Sequence, residues 1–196
     1  KRYPGGYEAL HQVSFQINAG EMVFITGHSG AGKSTLFKLI ASIEQPTSGS
    51  LIVNGQNLSA LRRSAIPYLR RHFGLVFQDQ KLLFDRNVLE NVLLPLQIVG
   101  LQRREAIRRA QAALDKVGLL TREKALPITL SGGEQQRLAI ARAVVNRPTV
   151  LLADAILEIF SSFNQVGVTV VMSTHDAHCI ERYRPTVLHL DHGRLL

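Results

Sequence analysis

The residues Gly27-His28-Ser29-Gly30-Ala31-Gly32-Lys33-Ser34, followed by Thr35, fit G-x-x-x-x-G-K-[ST]. They lie between a short apolar run, Met22 to Thr26, and a helical pattern from Lys33 to Ile43. That context makes the match a phosphate-binding loop rather than a chance glycine cluster. Glycines let the backbone curl so that successive N–H groups point at phosphate oxygens. The helix that starts there adds its positive dipole end. Lys33 has the reach for β- and γ-phosphates, and the Ser34 hydroxyl suits Mg²⁺. The chemistry implied is the binding of Mg-ATP by residues 27–35, with His28 at a variable position and no chemical role of its own.

A second stretch, Leu130-Ser131-Gly132-Gly133-Glu134-Gln135-Gln136-Arg137, precedes the helical run Leu138 to Val145. Ser131 with Glu134 three residues on is a capping box, which starts many helices and needs no further role. Gly132-Gly133 exceeds that explanation, because each glycine costs a helix about 1 kcal/mol against alanine. Two together make sense where another molecule approaches the first-turn amides closely, which makes a second anion site at a helix N-terminus.

The elements that must position these loops read as an α/β fold. Val13 to Ile17 alternates like a half-buried strand, and Met22 to Thr26 is a buried one. Pro46, Ser48 and Gly49 break the chain before a strand at Ser50 to Val53 and a turn at Asn54-Gly55. Leu75 to Phe77 is a further strand. From about Leu82 to Leu130 the pattern turns helical, with Arg103 to Val117 the clearest amphipathic stretch. Strands return at Thr149 to Ala153, Val168 to Ser173 and Val187 to Leu190. The expected architecture is a P-loop core with a mixed, mainly parallel sheet, built from about 1–81 and 131–196, and an inserted helical subdomain over about 82–130.

Composition narrows the partners. Hydrophobic residues make up 45% and charged residues 19% of 196, ordinary values for a globular protein. A single cysteine, Cys179, rules out an internal disulfide, fits a reducing compartment and is expected as a buried core thiol. Leu82 to Leu101 is the most apolar stretch, yet it carries Asp85, Arg86, Glu90 and Pro95 and does not read as a membrane span. The net charge of +8 raises nucleic acid and anionic lipid as partners. The plainer reading of Arg62-Arg63, Arg70-Arg71, Arg103-Arg104 and Arg108-Arg109 is solvated helix faces. Few aromatic residues stand among them, which disfavours base stacking and makes nucleic acid the weaker choice.

The sequence LSGGEQQR resembles the signature motif of the ATP-binding-cassette (ABC) family, and the other ABC elements follow in order. Gln78 looks like the Q-loop glutamine that senses Mg²⁺ and the γ-phosphate. Val150 to Asp154 resembles a Walker B strand ending in the aspartate that orients Mg²⁺. His175 looks like the switch histidine, and Asp176 beside it either orients that ring or caps the next helix. Tyr3 is placed like the aromatic that stacks on adenine. The resemblance implies catalytic roles for Gln78, Asp154 and His175, and metal contacts for Ser34, Gln78 and Asp154. It also implies that Ser131, Gly132, Gly133 and Glu134 contact ATP held by a second subunit, in a homodimer closed around the nucleotide.

Within ABC proteins, GHSGAGKST, ALDKVGLL and ARAVVNRP are similar to the FtsE family of bacterial cell-division ATPases. That family pairs with the membrane protein FtsX and drives activation of peptidoglycan hydrolases. The resemblance therefore implies an FtsX-like membrane partner and a place on the cytoplasmic side of the inner membrane, at the septum. ATPases of lipoprotein-release and MacB-type exporters are the near alternatives.

One departure stands out. After a Walker B aspartate the family continues with a catalytic glutamate and the D-loop, as E-P-T-G-N-L-D. Here Asp154 is followed directly by Ala155-Ile156-Leu157-Glu158-Ile159-Phe160, the start of a helix. Glu158 does not match the motif and is no substitute base. A true deletion would leave a nucleotide-binding switch with little hydrolysis, since a positioned base supplies roughly 10²–10⁴-fold. It would also leave no connector where βα loops usually take about 2–6 residues. The preferred account is a mobile loop missing from these 196 residues, because mobile functional loops are often the least stable parts.

Overall fold

A computed structural model describes residues 1–77, 79–154, 159–174 and 177–196. Gln78, the junction residues 155–158 that follow Asp154, and the pair His175 and Asp176 lie outside the described residues. The chain divides into two compact units. One comprises Lys1–Arg70 with Leu152–Leu196, and the other Arg71–Leu151.

In the first unit the central strand is β1 (Met22–Thr26), buried from Val23 onward. It pairs in parallel with β6 (Thr169–Ser173) on one side and with β7 (Thr186–Asp191) on the other. β8 (Arg194–Leu195) closes a hairpin on β7 and runs antiparallel to it. The apolar runs seen in the sequence are continuous because β1 and β6 are covered on both faces, so no polar alternation is left. Helix α1 (Lys33–Ile40) packs Leu36, Phe37, Leu39 and Ile40 inward. It stops three residues short of the predicted Ile43. Ser42 turns left-handed at φ 53°, and the N–H groups of Ile43 and Glu44 fold back onto the Lys38 carbonyl at 2.8 and 3.1 Å. A left-handed turn of this kind satisfies the orphan carbonyls of a helix end.

The predicted strand at Ser50 shrinks to a two-residue hairpin, β2 (Ile52–Val53) against β3 (Gln56–Asn57). Asn54 and Gly55 form its turn at φ 48° and 75°, the conformation an Asn-Gly pair favours. Val13 to Ile17 is not a strand. Its side chains alternate half-buried and exposed as the pattern requires, but no neighbouring strand bonds to it among the described residues. Helices α2 (Ile66–Arg70), α6 (Ile159–Gln165) and α7 (Ala177–Tyr183) complete this unit. Cys179, expected in the core, is half-buried.

In the second unit, β4 (Phe73–Val76) begins two residues before its predicted start. Its predecessor His72 accepts backbone bonds from Thr149 and Val150 at the start of β5 (Val150–Ala153). Gly74 is obligatory here. A Cβ at that position would stand 2.4 Å from Leu151 Cδ2 and 2.7 Å from the Ala143 carbonyl oxygen. Three helices form the rest: α3 (Val88–Ile98), α4 (Arg103–Lys116) and α5 (Gly132–Val144). On α4, Arg108 and Arg109 both pair with Glu105, at 2.6 and 2.7 Å. Those bonds hold the Glu105 carboxyl below its ordinary range, and this basic run is a solvated face carrying its own counter-charge. No helix among the described residues is long and apolar enough to cross a membrane.

Candidate nucleotide site

The loop between β1 and α1 is built by backbone requirements that only glycine meets. Gly27 has φ 139°, and a Cβ there would lie 2.1 Å from the Leu190 carbonyl oxygen. Gly32 has φ 106°, with the Ala9 oxygen and Leu10 Cδ2 at 2.7 and 2.8 Å from its virtual Cβ. These two glycines let the loop press against β7 and the N-terminal segment. Gly30, at φ 83°, meets nothing within 4 Å, so the middle of the loop faces open space. Inside the curl, Ala31 N–H bonds to the His28 carbonyl at 3.2 Å.

Lys33 lies over this curl and donates to the carbonyls of Gly27 at 2.6 Å and His28 at 2.8 Å. An ammonium carries three donors, so one remains for a ligand while the other two brace the loop. Gly32 occupies the N-cap of α1 and offers no side-chain acceptor to the first-turn amides. Uncapped donors, a helix dipole and a cation gather at one helix end, and this set fits a phosphate. Ser34 is exposed.

Tyr3 lies beside this helix. Its hydroxyl is 3.3 Å from Thr35 Oγ1, its ring stacks on Tyr7 at 6.4 Å, and the Lys1 ammonium sits 5.0 Å from its centroid. None of the Tyr3 contacts was visible in the sequence, since their partners are far away or carry no motif. Two others were equally hidden. Thr26, the last residue of β1, hydrogen-bonds His189 at 2.8 Å, and His28 reaches Asp191 at 3.3 Å. Asp154 follows β5 and is half-buried. β5 borders β6, the neighbour of β1, so its strand lies two places from the one that feeds the loop.

In the second unit the capping box stands as read from sequence. Ser131 Oγ accepts from the Glu134 N–H at 3.3 Å, and Glu134 Oε2 accepts from the Ser131 N–H at 2.8 Å and its hydroxyl at 2.9 Å. The Ser131 N–H and hydroxyl hold the Glu134 carboxyl below its ordinary range. The helix starts at Gly132 rather than at Leu138, so both glycines lie in its first turn. A Cβ on Gly132 would meet nothing within 4 Å, and one on Gly133 only the Arg137 side chain at 3.8 Å. Among the described residues, nothing packs closely enough to require either glycine. Further along α5, Arg142 donates to the carbonyls of Gln80 and Lys81 at 2.6 and 2.7 Å. It thereby fastens the segment just after Gln78 to the helix that begins at Ser131.

Residues 10–157 match the family model described as ABC transporter. The chain belongs to the ABC transporter family. Within that family it is 51% identical, over its whole length and 93% of the relative, to the cell division ATP-binding protein FtsE of Escherichia coli K12. It is 38% identical to FtsE of Bacillus subtilis, over 98% of this chain and 90% of that one. The match to the E. coli relative runs over 207 residues against the 196 of this chain, so the ABC relative carries residues within the matched span that are missing here. Among solved ABC cassettes, the dimeric post-hydrolysis state of MJ0796 bound to ADP and Pi superimposes with a TM-score of 0.86 at 34% identity. That match covers all of this chain and 93% of the other. CbiO1 of Clostridium perfringens gives 0.87 at 29% identity, over all of this chain and 83% of the other.

Proposed function

We propose that this ABC cassette binds Mg-ATP on residues 27–35 and closes head to tail with a second copy. Ser131 to Glu134 of one copy then face the nucleotide held by the other. The cycle drives an FtsX-like membrane partner in bacterial cell division, on the cytoplasmic side of the inner membrane at the septum. The observation that carries this is the open first turn of α5. Two helix-weakening glycines stand there with no packing need among the described residues, in a protein that already has a complete phosphate loop. The relatives' names support the cell-division role, and the dimeric cassette bound to ADP and Pi supports the pairing.

In this reading Mg²⁺ would be held by the Ser34 hydroxyl and by Asp154 and Gln78, partly through water, and would neutralise phosphate charge. Tyr3 would lie against adenine, His175 would sense the γ-phosphate, and the helical subdomain over about 82–130 would face the membrane partner. The energetics are adequate. Moving an open–closed equilibrium from 1:99 to 99:1 takes about 5.5 kcal/mol. Charge-assisted hydrogen bonds contribute roughly 1.5–3 kcal/mol each, and two sites with two such bonds apiece suffice. Sedimentation of the purified chain with Mg-ATP tests the pairing. Ser131→Arg should bind ATP as a monomer with unchanged affinity yet fail to dimerise, because the arginine fills the partner's γ-phosphate position. A variant that dimerises normally with ATP overturns the head-to-tail model.

A further inference from the structure

We propose that His28, Asp191 and His192 form a binding site for a divalent transition-metal ion of the zinc class, which clasps the phosphate loop to the β7–β8 turn. One ligand atom from each of the three residues lies within 4.8 Å of the others. His28 Nε2 is 3.3 Å from Asp191 Oδ1, and His192 Nε2 is 3.9 Å from the same oxygen. Zinc–ligand bonds of about 2.0–2.1 Å place tetrahedral ligand atoms about 3.3 Å apart. The first pair already has that separation, and the second closes by a small turn of the exposed His192 ring.

Hydrogen bonding around His28 leaves Nε2 as its ligating atom. His28 Nδ1 lies 2.6 Å from the Ser29 carbonyl oxygen. A carbonyl only accepts, so Nδ1 carries a proton, and Nε2 is the ring atom open to a metal ion. Nε2 faces the Asp191 carboxylate oxygen at 3.3 Å. Either a proton or a metal ion can join the two atoms, and the Co²⁺ titration below separates these cases. The Nδ1–H to backbone-carbonyl bond is also the outer contact that ordinarily fixes the tautomer of a metal-bound histidine.

The turn holding the other two ligands is rigidly placed. His192 and Gly193 adopt φ 44° and 77° between the paired residues Asp191 and Arg194. Gly193 admits no side chain, since a Cβ would stand 2.7 Å from the Ala9 oxygen. Its N–H bonds to the Ala31 carbonyl at 3.0 Å, so the turn is already stitched to the phosphate loop once. A metal ion adds a second stitch at His28. Two imidazoles and one carboxylate select borderline ions such as Zn²⁺, Co²⁺ or Ni²⁺ over Mg²⁺, which prefers an all-oxygen octahedron. The site is therefore chemically distinct from that of the ion carried by ATP.

The test uses the untagged, nucleotide-free full chain, titrated with Co²⁺ and followed by visible d–d absorption. One Co²⁺ per chain should bind, be displaced by equimolar Zn²⁺ and resist millimolar Mg²⁺. His192→Asn, chosen because asparagine tolerates the left-handed turn, and Asp191→Asn should each weaken binding at least tenfold, with circular dichroism confirming the fold. Absence of saturable binding to the unmodified chain overturns the proposal, and so does binding that both variants leave unchanged.

Discussion

At the scale of single residues, Lys33 has donors for two jobs in the proposed reading, where a sequence motif shows one. Its ammonium braces the carbonyls of Gly27 and His28 and keeps one donor for phosphate. Lys33→Ala removes the loop's only side-chain cation together with both braces. With a charge-assisted bond at roughly 1.5–3 kcal/mol, Mg-ATP affinity should fall roughly 10- to 150-fold in calorimetry, and unchanged affinity would contradict the assignment. The motif was legible because its residues are consecutive and each answers a local demand, such as the positive φ of Gly27 and Gly32. The pairs Tyr3 with Thr35, Thr26 with His189 and His28 with Asp191 were not. Each joins residues brought together only by the sheet, and no local pattern marks them.

At the scale of elements, strands flanked on both faces announced themselves as apolar runs, while pairing did not. Val13 to Ile17 shows the limit. Alternation predicts which side chains face inward, and the structure agrees, but a strand also needs a neighbour to bond to and none is present among the described residues. The start of α5 shows the opposite case, where the cap residues Ser131 and Glu134 settle a local question locally. Gly74 lies between these extremes. Nothing around it in sequence signals a tight contact, yet β4 meets Leu151 and Ala143 closer than any Cβ allows. Gly74→Ala should force α5 away from the strand at a cost of about 1–3 kcal/mol. A chain of this size then melts about 5 °C lower. A melting temperature equal to that of the unmodified chain would mean that the contact relaxes freely.

At the scale of the whole molecule, two properties depend on what the cassette works with. The first is turnover. Asp154 runs directly into Ala155, and the E. coli relative is longer across the matched span. In the reading proposed above, part of that difference falls after Asp154, where the family resemblance calls for a catalytic glutamate and the D-loop. Inserting Glu-Pro-Thr-Gly-Asn-Leu-Asp between Asp154 and Ala155 should raise kcat by roughly 10²–10⁴-fold with little change in KM. An insertion that leaves kcat unchanged would place the base elsewhere.

The second property is the proposed coupling to a membrane partner, and here the sequence counted more apolar residues between Leu82 and Leu94 than one small helical face buries. The structure divides them. Leu82, Val88 and Val92 are core, whereas Phe84 stays 50% exposed. That exposure is built, not incidental. Asn91, fully buried, accepts from the Leu83 N–H and donates to the carbonyls of Leu83, Arg86 and Asn87 at 2.9–3.1 Å. This knot fixes the loop on both sides of Phe84 and presents the ring outward, a few residues after Gln78. Holding a large apolar side chain in water is unfavourable, by about 1.5–3 kcal/mol against burial, unless a partner covers it. An amphipathic helix docking by its apolar anchors is the natural cover. Phe84→Asp should therefore abolish co-purification with an FtsX-like partner from membranes, while ATP affinity and melting temperature stay as they were. Phe84→Leu, which keeps an apolar anchor, should restore it. Retained capture by the aspartate variant would move the interface elsewhere. Capture of nucleic acid by the unmodified chain, falling steeply as salt rises, would replace the membrane-coupled reading altogether.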